Sequence, residues 1–393
     1  METLWVRLPV VKTRHILLTN DFPPKRGGIQ NYHYELWSRL DPESFSVICP
    51  FSADRDRDRD FDEKAKFKVT RVKGPLLPTA SLRQLVEREI AEMDAAFVVI
   101  EPALPLGLIG GRLSLPYVVV AFGAEFVIPA GVPLLRNQLA KTIDGAALIV
   151  AGGGYPASEV ISFMATFGKD VKDKVAVVRP GVDLSYFRPP DPAERAEARE
   201  YFGIQSEEKV VVFVSRLVPR KGADTVLKAV SLIEAKERPR VFLGGAGREA
   251  RRLQSLSRSH SVDATFLGGL SKGELRKLYW AGDVFAMATR SRWMGLEQEG
   301  FGIVFLEAAA TGLPVVVGRS GGSYETLLTG RSGFLVDPPN SPALVKTAIE
   351  SILGDEKLKR SFGSVGRAFV SERFDYDLLS EELKNALDSV LIG

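Results

Sequence analysis

Short strand-like runs, most of them apolar, recur along the chain, with helical stretches between several of them. In the first half these runs are Arg14–Thr19, Phe45–Cys49, Lys68–Val72, Ala96–Ile100, Tyr117–Ala121, Ala147–Val150 and Val175–Val178. In the second they are Val210–Val214, Arg240–Gly244 and, as a strand with its turn, Thr265–Leu270. Each reads as a strand. A helix is expected from Ile29 onward, and beyond Pro338 further helices are expected over Pro342–Leu353, Asp355–Val370 and Asp375–Leu391. The last carries Leu378, Leu379, Leu383, Leu387 and Leu391. Repeated strand-then-helix alternation predicts an α/β protein with parallel, doubly wound sheets, and the alternation is present in both halves.

Two stretches break the rhythm. Ala53–Lys68, ADRDRDRDFDEKAKFK, alternates charge on no apolar frame and predicts a solvated, mobile loop whose Asp-x-Asp spacings hold no metal. Ile128–Lys141 sets Val132, Leu134, Leu135 and Leu139 beside Arg136 and Lys141. Such a segment either rests on an anionic membrane surface or packs its apolar stripe on its own domain. Pro189-Pro190 suits a linker and divides the chain into residues 1–188 and 189–374.

Length and composition narrow the class. At 393 residues and 43.0 kDa the chain is long enough for two cores. A net charge of +3 gives no argument for a nucleic-acid partner. The lone Cys49 excludes an intrachain disulfide and fits a reducing compartment. No apolar run is long enough to span a bilayer, and Met1-Glu2-Thr3-Leu4 lacks the order of a signal peptide. The chain reads as cytoplasmic, with the inner face of the plasma membrane as the place for any peripheral contact.

The densest candidate chemistry lies in Phe285–Gly330, centred on Glu299-Gly300-Phe301-Gly302-Ile303-Val304-Phe305-Leu306-Glu307. Phe301-Gly302 would open a helix, whose N-terminal amides favour an anion. The flanking acids Glu299 and Glu307 suit hydroxyls, which suggests a sugar nucleotide with one acid for each sugar. Asn20-Asp21-Phe22-Pro23-Pro24-Lys25-Arg26-Gly27-Gly28-Ile29-Gln30 follows the first strand as a glycine loop before a helix, a common anion site. Ser215-Arg216-Leu217-Val218-Pro219-Arg220-Lys221-Gly222 follows Val210–Val214; Arg216 and Lys221 can neutralise a diphosphate, while Arg220 is expected to be exposed. Gly245-Ala246-Gly247-Arg248-Glu249-Ala250 reads as a dinucleotide fingerprint, with Asp263 at a tolerable distance for a ribose.

These stretches resemble the retaining GT-B glycosyltransferases of family GT4, with Glu299 and Glu307 as their E-x7-E signature. MATRSRWMGLEQEGFGIVFLEA, SRLVPRKG and NDFPP-x-x-GGIQ are similar to the PimB-type phosphatidylinositol-monomannoside mannosyltransferases. The resemblance implies two Rossmann-like domains facing a cleft, with a C-terminal helix, 375–393, crossing back to the first. It also implies a metal-independent hexosyltransferase that uses GDP-mannose and a lipid or glycan acceptor. Glu299 would hold the donor sugar and Glu307 the ribose. Arg216, Lys221, Gly27 and Gly28 would meet the diphosphate. Gly245, Gly247, Leu270, Gly300, Phe301, Gly302 and Ile303 would wall the donor site. Asp21, Phe122 and Glu125 would lie on the acceptor side, and Asp21 is counted with Arg216, Lys221 and Glu299 as catalytic. Arg179-Pro180-Gly181-Val182-Asp183 is similar to the family's exit from its first domain. Where the family commonly has His-Gly-x-Glu, this chain has Phe122-Gly123-Ala124-Glu125, and none of His15, His33 and His260 can be placed as a substitute. Three other readings stay open. They are a UDP-glucose or UDP-N-acetylglucosamine donor, a catalytically weak sugar-nucleotide-binding protein, and an NAD-dependent oxidoreductase.

Overall fold

The computed structural model describes residues 14–25, 27–123, 126, 129 and 132–391. The first half alternates β1 (His15–Thr19), α1 (Gly28–Trp37), β2 (Phe45–Pro50), α2 (Arg55–Lys64), β3 (Lys68–Val72), α3 (Ala80–Met93) and β4 (Phe97–Glu101). It continues through β5 (Tyr117–Ala121), α4 (Pro133–Asp144), β6 (Leu148–Ala151), α5 (Gly154–Ala165) and β7 (Val175–Val177). The second half has α6 (Pro192–Tyr201), β8 (Val210–Val214), α7 (Ala223–Ser231), β9 (Arg240–Gly244), α8 (Ala250–Ser259), β10 (Ala264–Gly268) and α9 (Lys272–Ala281). Then come β11 (Val284–Met287), α10 (Ile303–Ala310), β12 (Val315–Gly318), β13 (Gly333–Val336), α11 (Pro342–Gly354), α12 (Glu356–Arg373) and α13 (Tyr376–Asp388).

The strands form two parallel sheets, ordered β3-β2-β1-β4-β5-β6-β7 and β10-β9-β8-β11-β12-β13. In each, the order reverses beside the first strand. β1 pairs with both β2 and β4, and β8 with both β9 and β11. Ligands of doubly wound sheets bind outside the carboxyl ends at such a reversal. The central strands β4, β5 and β8 are fully buried and largely apolar because helices cover both faces, whereas the edge strand β3 carries Lys68, Thr70 and Arg71. Leu17 joins the core with Trp37 and Phe45, whereas its neighbours Ile16 and Leu18 join the opposite core with Val98 and Ile100.

The final helix crosses back as expected. Tyr376, Leu379, Leu383 and Leu387 pack with Leu36 and Trp37 against the first sheet, and Arg39 pairs with Asp377 at 2.8 Å. Leu378 and Leu391, expected on the same stripe, are exposed. Leu378 is a neighbour of the buried Leu379 and so points about 100° away, while Leu391 lies in a terminal 3-10 turn.

The alternating-charge stretch is a correction: it is helix α2, not a mobile loop. Asp54 caps it by accepting from the Arg57 amide, and Lys64–Asp60 is paired one turn apart. Its anchor is non-local. Asp58 and Asp62 flank Arg71 of β3, with Arg71 Nη2 2.7 Å from Asp62, and Phe61 sits edge-on to Phe22 and Tyr34.

Candidate active site

The carboxyl end of β8 carries Arg216 on an exposed turn and Lys221 on the 3-10 turn Pro219–Lys221. Gly222 closes that turn at φ 70, where a Cβ would lie 1.9 Å from the Ala288 carbonyl oxygen. Only glycine allows this approach, which brings the β8 turn against the end of β11. Lys221 Nζ then reaches Oε2 of Glu299. Arg220 Nη1 donates to the same oxygen at 3.1 Å and Thr289 Oγ1 at 3.3 Å. Burial alone would raise the Glu299 carboxyl, but the Lys221 ammonium and Arg220 guanidinium outweigh it and leave it below its ordinary value. Burial lowers the Lys221 ammonium, and Glu299 offsets only part of that.

Arg220 is thus a second correction. It is half-buried on Glu299 instead of exposed, and its carbonyl accepts from the Arg290 amide at 2.8 Å. Its inward turn depends on a carboxylate far along the chain, so local sequence gave no signal for it.

Glu299 is held by its backbone as well as its side chain. Its amide donates to Ser320 Oγ at 3.1 Å and its carbonyl accepts from Gly322 at 3.0 Å. Beyond it, Gly300 and Phe301 lead to Gly302, whose φ of 99 starts α10 at Ile303 with no side-chain cap. The first turn of α10 contains no acid, which keeps the helix's positive end available to an anion. One turn on, Glu307 accepts a 2.9 Å hydrogen bond from the Tyr279 hydroxyl. Burial pushes Glu307 up to about 7, against the pull of that hydrogen bond and of Lys272. Lys221 and Glu299 are therefore in direct contact, with Arg216 close enough to lower Lys221 further, while Glu307 is tied to Tyr279 instead.

The glycine-rich turn after β9 packs on the Arg216 turn. A Cβ at Gly245 would meet the Ser215 carbonyl oxygen at 2.0 Å and one at Gly247 the Leu217 carbonyl oxygen at 2.3 Å. Leu270 lies beside Gly244 in the same wall. Asp263, however, immediately precedes β10, at the amino edge of the sheet, and pairs with Arg240 at 3.2 Å. The dinucleotide reading needs an acid at the carboxyl edge, so Asp263 cannot take that part.

Across from these turns stands the carboxyl edge of the first sheet. The Asp21 carboxylate accepts from Lys25 and Gln30, and its amide donates to Thr19 Oγ1 at 2.9 Å. Gly27 is packed against the Gln30 side chain, and the Cβ direction of Gly28 is open. Glu125 lies outside the described residues. Phe122 is half-buried, with its ring 5.0 Å from Tyr32 and 5.9 Å from His33. The imidazole of His33 lies against Phe122, a neighbour that the sequence did not reveal. Its Nδ1 lies 3.1 Å from the Asp21 carbonyl and so carries the proton, while its buried Nε2 has no partner. Burial lowers it to about 4, which keeps it neutral. The two edges meet: the Cβ position of Gly300 lies 3.6 Å from the Phe122 carbonyl oxygen, and Gln298 Nε2 donates to the Tyr155 hydroxyl.

The segment that could touch a membrane is divided. Val132 and Leu134 are exposed, Leu139 is buried, and Arg136 folds back, donating to Thr166 Oγ1 at 2.6 Å and lying over Phe167. Among the described residues no helix is long and apolar enough to cross a membrane.

Two facing parallel sheets, with a cation–carboxylate cluster at the reversal of the second, define a GT-B glycosyltransferase. The chain belongs to the group 1 glycosyl transferases, whose family model matches residues 194–369. It is 35% identical over 387 residues to a GDP-mannose-dependent alpha-(1-6)-phosphatidylinositol monomannoside mannosyltransferase of Mycobacterium tuberculosis, covering 95% of this chain and 98% of that one. A GDP-mannose-dependent monoacylated alpha-(1-6)-phosphatidylinositol monomannoside mannosyltransferase of Corynebacterium glutamicum is 31% identical over 379 residues, covering 95% and 97%. In fold, the chain is similar to the crystal structure of Anabaena HepE in complex with UDP, with a TM-score of 0.78, 19% identity, and coverage of 96% and 100%.

Proposed function

We propose that this protein transfers mannose from GDP-mannose, with retention of configuration, to a hydroxyl of a phosphatidylinositol-mannoside type of glycolipid. The carrying observation is the buried Lys221–Glu299–Arg220 cluster at the sheet reversal, one short turn from the uncapped start of α10. In this reading the α10 amides, Arg216 and Lys221 receive the diphosphate, aided by the Gly27-Gly28 loop, and no metal takes part. Lys221 is then shared between Glu299 and the phosphate, with Arg220 keeping Glu299 ionised. Glu299 turns its free acceptor positions to mannose hydroxyls, and Glu307 takes the ribose. The bond from the anomeric carbon to the phosphate oxygen breaks as the acceptor oxygen bonds to that carbon. The departing phosphate accepts the acceptor's proton, so no imidazole is needed at Phe122. The acceptor enters past Asp21 and Phe122, with Val132 and Leu134 touching the inner face of the membrane that holds it.

Thermal unfolding with GDP and with UDP tests the donor, since a ligand stabilises the fold according to its affinity. GDP should raise Tm more than UDP; a larger shift with UDP would overturn the assignment of the base. Radiolabelled GDP-mannose with membrane extract should then label a lipid, and absence of transfer despite GDP binding would leave only a binding protein.

A further inference from the structure

The turn that supports Glu299 also reaches across to the first sheet. Glu325 lies near the end of the 3-10 turn Gly321–Thr326, and its side chain is only 8% exposed. Its Oε1 accepts from the Tyr155 amide at 2.9 Å; its Oε2 accepts from the Gly154 amide at 3.0 Å and from Arg179 Nε at 2.9 Å. Those amides are the first turn of α5, and Gly153 before them has no side chain with which to cap it. The cap comes instead from the other sheet, as a carboxylate at the positive end of the helix and beside a guanidinium. Three donors on one ionised group hold geometry more tightly than a neutral pair does.

The other end of the same turn holds Glu299. Ser320 and Gly322 bond its amide and carbonyl, and a Cβ on Gly321 (φ 49) would lie 2.1 Å from its carbonyl oxygen. Tyr155, whose amide Glu325 holds, also accepts at its hydroxyl from Gln298, the residue before Glu299. One short turn thus joins the donor-side carboxylate to the first helix turn beyond β6, next to the edge bearing Phe122.

We propose that Glu325 is a positioning residue, a clasp whose grip on α5 and Arg179 sets the gap between Glu299 and the acceptor rim. Its catalytic consequence rests on the transferase reading above, whereas the clasp itself does not. The test uses the full chain with Glu325→Ala and the isosteric Glu325→Gln, which keeps one neutral acceptor and guards against misfolding. Hydrogen exchange at the Gly154 and Tyr155 amides should speed up in both, more in Glu325→Ala. With GDP-mannose, kcat should fall by about 10²-fold in Glu325→Ala, as for a misplacement of about 1 Å, with GDP affinity unchanged. Unchanged exchange in both variants would overturn the clasp, as would a kcat loss matched by an equal loss of GDP affinity. Faster exchange in a protein whose parent transfers nothing from GDP-mannose would uphold the clasp and sink the donor assignment instead.

Discussion

The Tyr279 hydroxyl donates a 2.9 Å hydrogen bond to Oε2 of Glu307, and burial around the pair holds the carboxyl at about 7. Its folded value lies above the ordinary carboxyl value of 4.5, so burial favours the neutral acid. Its stabilising contribution is complete below pH 4.5 and is lost as pH rises through 7. The loss is on the order of 3 kcal/mol. Glu307→Gln should therefore raise Tm at pH 8 and leave it unchanged near pH 4.5. If the ionised form accepts from the ribose, donor affinity in the parent should improve by up to about tenfold between pH 6 and pH 8. In Glu307→Gln that pH dependence should vanish along with most of the affinity. Calorimetric titration of GDP at the two pH values measures both, and an unaltered affinity in the variant would contradict the ribose role.

Lys221 and Arg220 share Oε2 of Glu299, but Lys221 is the more deeply buried. Lys221→Ala should lower kcat by about 10²–10³-fold, the usual loss for a well-placed stabilising donor. Arg220→Met should cost about tenfold or more, the worth of a hydrogen bond to a charged group. A solvated Arg220 would give no effect at all, so steady-state kinetics of this variant separates the two placements directly.

The outlying helix α2 can be tested by stability alone. Arg71, with a side chain 4% exposed, lies 3.8 Å from Asp58, itself 1% exposed, and donates to the Pro23 carbonyl at 2.8 Å. Arg71→Met leaves the buried Asp58 and the partly exposed Asp62 without their shared cation and should lower unfolding free energy by about 3 kcal/mol. Urea unfolding reads this as a shift in midpoint. An unmoved midpoint would mean that the helix contributes nothing to the fold.

What the chain discloses by inspection follows from distance along it. Most strands are legible because both faces of each sheet are covered, so an apolar run suffices to mark them; β11, β12 and β13, in or just beyond the motif-rich Phe285–Gly330 stretch, go unmarked in that pattern. Lys221 and the start of α10 are legible for a similar reason, since strand-turn and turn-helix patterns are local. Arg220, His33 and Glu325 were missed because each is defined by a partner from another element. These partners are Glu299, the Asp21 carbonyl with the Phe122 ring, and the amides of Gly154 and Tyr155. Helix α2 hid for the same reason, because its organising cation, Arg71, belongs to β3.

Phe122 raises the last question, since an imidazole commonly stands there in the family that the motifs resemble. Its ring instead fills the space between Tyr32 and His33, and His33 uses Nδ1 to hold the Asp21 carbonyl. If the departing phosphate takes the acceptor's proton, restoring that imidazole adds nothing to turnover. Phe122→His should then leave kcat where it is. A clear rise would instead mean that this chain carries a weakened form of the chemistry. His33→Leu should loosen the Asp21 loop by removing one hydrogen bond, worth about 1 kcal/mol, and lower kcat/KM about fivefold. Measured together, the two variants distinguish an imidazole that holds the loop from one that is missing from the reaction.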